Sequence, residues 1–362
     1  MHQSNSEGGR RDASPKTDPR ASIPPVDAAD RHPLPELLAP AGDLDSALAA
    51  FENGADAVYT GLQQFNAREG AENLSVSELG QLVAYARQRQ RRVYVTVNTL
   101  IRESELPAIV RLLADVAEQA PHAVIVQDIG VLRILREFFP GTPIHASTQM
   151  GIHNSAGVNL LGDLGVERLI LERQIPLPEL QEIALRTNVE LEVFVHGALC
   201  CCLSGACLFS SWMGGWSGNR GKCKQPCRRR YYTERGNGFF FSPKDLYTLD
   251  FIPELKRLGI AGLKIEGRLR KADYVESVVN AYRLVLDAAP GQEHEVLKEA
   301  RGILSGALGR RWSHGFLAAD GTSNVIQHDQ LGTSGRLVGE VTGASRGGVN
   351  VKLSRPVRVG DR

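Results

Sequence analysis

From Leu34 onward the sequence predicts an α/β chain folded as a TIM-like (β/α)8 barrel, and three observations carry that prediction. Eight short apolar runs with strand character alternate with amphipathic helical stretches, the pattern of βαβ units around a parallel sheet. The helical stretches open on capping residues and close on Gly or Asn. Polar side chains gather where the runs end, as a barrel with its site at the C-terminal face of the strands demands. A doubly wound open sheet is the alternative that the same alternation allows.

In chain order, the first four runs are "ELLAPAG" from Glu36, "DAVYTG" from Asp56, "VYVTVN" from Val93 and "AVIVQD" from Ala123. The last four are "IHASTQ" from Ile144, "RLILER" from Arg168, "LEVFVHG" from Leu191 and "GLKIEGR" from Gly262. Between them, "DLDSALAAFENGA" and "SVSELGQLVAYARQR" carry helical apolar spacing and begin at the cap residues Asp43 and Ser75. "PLPELQEIALRTN" repeats the pattern before the seventh run. The run ends carry Gly61, Asn98, Gln127 with Asp128, and Ser147-Thr148-Gln149. Later ends carry Glu172 with Arg173, His196, and Glu266 with Arg268. Ordinary turn chemistry accounts for single positions; Ser147-Thr148-Gln149 and Glu172-Arg173 go beyond it, because turns favour Gly, Pro, Asn and Asp. Lys264 and Glu266 lie two apart on one strand and share a face, which fits an internal ion pair as well as it fits chemistry.

The barrel is expected over residues 34–290. Residues 1–33, rich in Ser, Pro, Arg and Asp, read as a disordered tail without a secretory h-region. Residues 291–331 read as a helical connector. Residues 332–362 alternate like the start of a small β module that stops mid-pattern, as a truncated one would. Apolar residues make up 42% of the 362, enough for a core, and the formal charge of +1 leaves no global field to recruit a polyanion. No apolar run is long enough to span a bilayer, so a cytoplasmic protein without a membrane span is expected.

All six cysteines fall between Cys200 and Cys227, directly after the seventh run. Cys200, Cys207, Cys223 and Cys227 are spaced C-x6-C-x15-C-x3-C. In a reducing compartment, clustered thiols point to metal or catalysis rather than to disulfides. Zinc knuckles favour two C-x2-4-C pairs, so the spacing leans towards an iron–sulfur cluster, with zinc as the alternative. Cys201 and Cys202 fall outside the four-ligand count and read as packing residues. A thiol nucleophile activated by His196 is the rival account. The same loop runs from Arg220 to Arg230 through Lys222, Lys224, Arg228 and Arg229 and ends at Tyr231 and Tyr232. Cations there would offset a thiolate cluster or hold RNA phosphates, and the rings suit base stacking.

"EVFVHGALCCCLSGACLFSS" followed by "SGNRGKCKQPCR", with "ELLAPAGDLDSALAAFENGADAVYTG", "VYVTVNTL", "HASTQM" and "KIEGR", resembles peptidase family U32 over about Leu34 to Tyr282. The family name implies collagenase-like proteolysis. Better-understood members imply instead oxygen-independent hydroxylation with a 4Fe-4S cluster. The substrate so implied is a pyrimidine base in RNA, an rRNA cytidine or a tRNA wobble uridine, with prephenate as hydroxyl source. Other members imply a place in quinone hydroxylation. By resemblance, Cys200, Cys207, Cys223 and Cys227 are the cluster ligands. Glu172, Arg173, His196, Lys264, Glu266 and Arg268 become the candidate catalytic residues. His145, Ser147, Gln149 and Arg220 become the candidate cofactor contacts. Arg173 and Arg268, helped by His145 or Ser147, would hold the small dicarboxylate bidentately. RNA, and no DNA, is the expected macromolecular partner. The sequence departs from the family pattern at Cys201 and Cys202, and at Trp216, where "GRSGNRG" would place Arg.

Overall fold

The computed structural model describes residues 34–289, 291–318, 324–330, 332, 338–345, 347–354 and 356–358. Its centre is formed by β1 (Glu36–Ala41), β2 (Ala57–Gly61), β3 (Arg92–Val97), β4 (Ala123–Val126), β5 (Ile144–Ala146), β6 (Arg168–Ile170), β7 (Glu190–Ala198) and β8 (Gly262–Ile265). Each strand pairs in parallel with the next, and β8 pairs with both β7 and β1, which closes the barrel and rules out the open sheet.

Six helices follow the first six strands: α1 (Leu44–Glu52), α2 (Val76–Gln88), α3 (Leu106–Gln119), α4 (Ile129–Phe138), α5 (Ser155–Asp163) and α6 (Leu177–Leu185). α7 (Ile252–Arg257) precedes β8 and α8 (Ala272–Asp287) follows it. The caps expected from the sequence are in place. Asp43 accepts from Ser46 N at 2.7 Å, and Ser75 with Glu78 forms a reciprocal capping box. Asp128 caps α4 through Gly130 N at 2.8 Å and also takes Ile101 N at 3.1 Å, so its role is structural. The main core lies between the helices and the outer strand faces.

The barrel interior is filled by an apolar belt containing Leu38, Tyr59, Ile125, Ile170 and Phe194. A column of charge runs through it. Lys264 meets Glu192 at 2.8 Å, and Arg168 meets Glu192 at 3.5 Å, Glu190 at 2.7 Å and Glu36 at 2.6 Å. Buried charges persist only when partnered in this way. Lys264 therefore pairs with Glu192, not with Glu266 as the shared face of the strand had allowed.

β7 carries a further feature that positions the site. Its pairing with β8 slips by one residue, so that Phe194 opposes Lys264 while His196 opposes Ile265. The bulge inverts side-chain parity beyond Phe194. The end of β7 then pairs antiparallel with Asp245–Tyr247, which in turn pairs with Trp312–Ser313. The segment after the barrel thus contains the helix Glu293–Leu304 but also returns to the sheet beside the cysteine segment. Beyond it, Gly339–Ser345 and Gly348–Leu353 form a mostly exposed antiparallel hairpin. Residues 1–33, read from the sequence as a tail, lie outside the described residues. No described helix is long and apolar enough to cross a membrane.

Candidate active site

A cavity of about 460 Å³ opens at the C-terminal face of the strands, between the barrel mouth and the cysteine loop. Its floor includes Tyr59, Ile125, Ile170 and Phe194, and its walls carry Asn98, Ser147 and Gln149. Seven cationic side chains line it against two carboxylates, Glu69 and Glu266, so it favours an anion.

The central charge arrangement is a carboxylate among guanidiniums. Glu266 accepts from Arg68 Nη2 at 3.1 Å and from Arg68 Nε at 3.3 Å. Burial pushes the Glu266 carboxyl up, but Arg68, Arg173 and Arg268 more than reverse this and hold it below the usual range. Arg173 gives Nη1 to Ala198 O at 2.8 Å and lies over the Phe194 ring at 4.4 Å, while its buried Nε has no partner. It ties neither to Glu172 nor to Glu266 by a direct ion pair. Arg268 is buried and gives Nη1 to Asn66 Oδ1 at 3.2 Å; burial lowers its pKa to about 10. Gly61, at the end of β2, makes room for it, since a Cβ there would stand 2.2 Å from Arg268 Nη1. Lys264 also reaches the cavity, its ammonium 4.2 Å from the Tyr59 ring centroid; burial lowers its pKa, with Glu192 opposing the shift. Arg68 had no signal in the sequence. It sits in the loop after β2, seven residues beyond the strand end, and is aimed inward by Asn66, which accepts Arg68 N at 2.8 Å.

Other predicted residues stand elsewhere. His196, turned outward by the β7 bulge, is buried against Tyr274 and Tyr282, with Nδ1 3.3 Å from Tyr282 Oη. Burial lowers its pKa to about 4. It does not line the cavity, and no Cys200–His196 pair forms. Glu172 anchors the cysteine loop instead, accepting from Ser204 N at 3.1 Å, Ser204 Oγ at 3.2 Å and Thr148 Oγ1 at 3.3 Å. His145 lies inside the barrel against Tyr94, its pKa well lowered by burial and then by Arg168 and Lys264. Arg220 is occupied by Glu105 (2.5 and 2.9 Å) and by Leu100 O at 2.6 Å. That contact holds Glu105 at a pKa of about 2, through Arg220 first and Arg102 second. Ser147 and Gln149 do line the cavity. Ser147 Oγ takes Asn98 Nδ2 at 3.4 Å and Gln149 N at 3.3 Å, and the Gln149 side-chain oxygen is buried without a partner.

The cysteine loop is pressed onto this mouth. Gly205 has φ +76, and a Cβ there would meet Gln149 O at 1.9 Å, so only glycine permits the approach. Five of the six cysteines face the cavity, Cys202 being the exception. Cys201 donates to Cys227, whose pKa falls to about 6 through that bond, with Arg228 contributing. Cys202 is raised by burial and then by Cys207, so both extra thiols touch members of the four-cysteine set expected from the sequence. Among the described residues, no three His, Cys, Asp or Glu side chains converge at metal-ligand spacing. The soft thiol donors sharing one cavity with cations fit an anionic thiolate cluster in chemistry, without forming a coordination shell.

The sequence profile of peptidase family U32 matches residues 42–327. The chain belongs to peptidase family U32. Among its relatives, "tRNA hydroxylation protein P1" of Bacillus subtilis is 34% identical over 70% of this chain and 63% of its own length. "23S rRNA 5-hydroxycytidine C2501 synthase" of Escherichia coli is 32% identical over 90% of this chain and 52% of its own length. "Collagenase" of Porphyromonas gingivalis is 31% identical over 78% of this chain and 72% of its own length. The chain thus spans between half and two thirds of the length of the B. subtilis protein and the E. coli synthase.

Proposed function

We propose that this U32 chain hydroxylates a pyrimidine base in RNA, without molecular oxygen, at the barrel-mouth cavity. The base would be an rRNA cytidine or a tRNA wobble uridine. The observation that carries the reading is that cysteines and cations share one cavity, five thiols with seven cationic side chains. The names of two relatives point the same way. In this reading Cys200, Cys207, Cys223 and Cys227 hold a 4Fe-4S cluster, which supplies one-electron chemistry when bound. Arg173 and Arg268 bind a small dicarboxylate, with prephenate as the proposed hydroxyl source. Planar guanidiniums suit that role, and the free Nε of Arg173 offers a second donor beside its Nη2. Glu266 keeps Arg68 directed at the same volume, and Phe194, Ile170 and Ile125 keep the floor dry. Ser147 and Gln149 present a hydroxyl and an unpaired amide oxygen to an uncharged ring edge.

A peptidase, favoured by the collagenase relative, finds less support. No histidine is among the residues lining the cavity, and His196 faces Tyr282. A nucleophilic cysteine there lacks its base. Nucleoside mass spectrometry of RNA from a deletion strain tests the proposal. A 5-hydroxylated pyrimidine should disappear, return with the wild-type chain and stay absent with Cys223→Ser. Unchanged RNA with an accumulating quinone precursor would instead favour a role in quinone hydroxylation.

A further inference from the structure

Residues 193–233 contain six Lys or Arg and no Asp or Glu, and they also carry an unburied aromatic surface beside the cavity. The short helix Phe209–Gly214 raises Trp212, 84% exposed, and Met213, 43% exposed. Phe209 lies nearly parallel to Tyr231 at 6.3 Å, and Phe241, 46% exposed, stands edge-on to both at 6.0 and 5.5 Å. Met213 joins them through its sulfur, 3.7 Å from Tyr231 Oη. Trp216 carries the Lys224 ammonium 4.3 Å over its ring. Phe209 and Trp216 both line the cavity, so the aromatic surface continues into the barrel mouth. Trp212, Met213, Trp216 and Phe241 are all exposed within one cluster at the cavity rim, and a contiguous apolar patch of this kind marks a contact surface.

The cations of this region divide into two sets. Arg220 is locked to Glu105, Lys222 meets Glu69 at 3.6 Å, Arg230 gives Nη1 to Asn237 Oδ1 at 2.8 Å, and Arg228 is buried against Leu199 O at 2.7 Å and Pro243 O. Lys224 and Arg229 are exposed and pair with no carboxylate among the described residues. Resting on the RNA reading above, we propose that Trp212, Trp216, Phe209, Tyr231 and Phe241 form a stacking platform for unpaired bases flanking the base that enters the cavity, with Lys224 and Arg229 on their phosphates. Aromatic rings at the surface beside cations without carboxylate partners suit single-stranded RNA, because every base offers a π-face and every linkage a negative charge. An enzyme acting on a base must take it out of its stack, and a platform at the rim compensates the neighbours for that loss. Arg220, assigned to the RNA-binding loop from sequence, is a structural brace in this picture.

The test is equilibrium binding of the full chain, prepared without oxygen, to an RNA hairpin with a pyrimidine-rich loop and to a duplex of its stem. Intrinsic tryptophan fluorescence and filter binding read it out. The hairpin should quench the wild-type fluorescence more than the duplex does. Trp212→Ala and Phe241→Ala should each weaken hairpin binding by about 10-fold while duplex binding changes little. Circular dichroism and iron content should match wild type. Hairpin affinity unchanged in the Trp212→Ala/Phe241→Ala double variant overturns the platform and leaves the RNA reading standing. No wild-type binding to either RNA at low salt overturns both. Loss in the variants of binding to anionic phosphatidylserine vesicles, with RNA binding kept, assigns the surface to a membrane and also overturns the platform.

Discussion

Glu266→Gln removes one negative charge and little else, and its consequences can be worked out from the geometry. The side chain keeps its volume and one acceptor, but Arg68, Arg173 and Arg268 lose the carboxylate that lies among them. Breaking a fully buried pair by removing one partner costs about 3–5 kcal/mol. Here the Arg68 side chain is 30% exposed and Glu266 13%, so water recovers part of that. A loss of about 2 kcal/mol follows, equivalent to a Tm drop of about 3 °C for a chain of this size. The same charge change strengthens the cavity's hold on anions. At about 5 Å and an effective dielectric near 20, one charge is worth roughly 3 kcal/mol before salt screening, so a dianion should bind at least about 10-fold tighter. The assay is differential scanning fluorimetry with a malonate titration. The variant should start lower than wild type and gain more from malonate, converging on it at high concentration. A variant as stable as wild type with no greater response to malonate would refute the view that Glu266 is the counter-charge of the arginine cluster.

Anaerobically purified protein should be brown and hold about four irons per chain. Changing Cys200, Cys207, Cys223 or Cys227 to Ser should each abolish this by iron assay, while Cys201→Ala and Cys202→Ala should leave iron nearly unchanged. Arg173→Lys and Arg268→Lys should keep fold and iron but lose most of the RNA product; full activity in both would remove the dicarboxylate assignment. His196 supplies a pH dependence. Its folded pKa is depressed from 6.5 to about 4, so the unfolded chain takes up the proton first as pH falls. Its contribution is fully present above about pH 6.5 and is lost by about pH 4, to the extent of about 3 kcal/mol. Urea midpoints at pH 7.5 and 5 should differ less in His196→Asn than in wild type.

The barrel was legible because its strands alternate with capped amphipathic helices, and a period of two is readable over even five residues. Asp43 and Ser75 show that local chemistry at helix starts survives folding unchanged. His196 was not legible. Strict alternation from Glu192 through Phe194 points it inward, and only the register slip opposite Lys264 and Ile265 turns it out. Glu192 stood in a run that reads as plain strand, and its bond to Lys264 spans 72 residues of chain. Arg68 belongs to a loop without a motif, and a loop's direction is set by what it packs on. Arg220 illustrates the converse: a conspicuous cation in a conspicuous loop, neutralised by a glutamate more than a hundred residues away.

The way the cysteine loop is fastened bears on how such a protein is assembled and maintained. Glu172 grips Ser204, Gly205 rests on Gln149, Arg220 reaches Glu105, and Arg228 holds Leu199. None of these fastenings uses a sulfur atom. In small metal-dependent modules the ion supplies the folding energy, and the empty chain is unfolded. Here the loop is held by contacts between protein groups on both sides of it, so cysteine substitutions should leave its path over the barrel mouth largely in place. The loop's position is then a property of the fold, set by Glu172, Gln149, Glu105 and Leu199, and its thiols are free to vary without moving it.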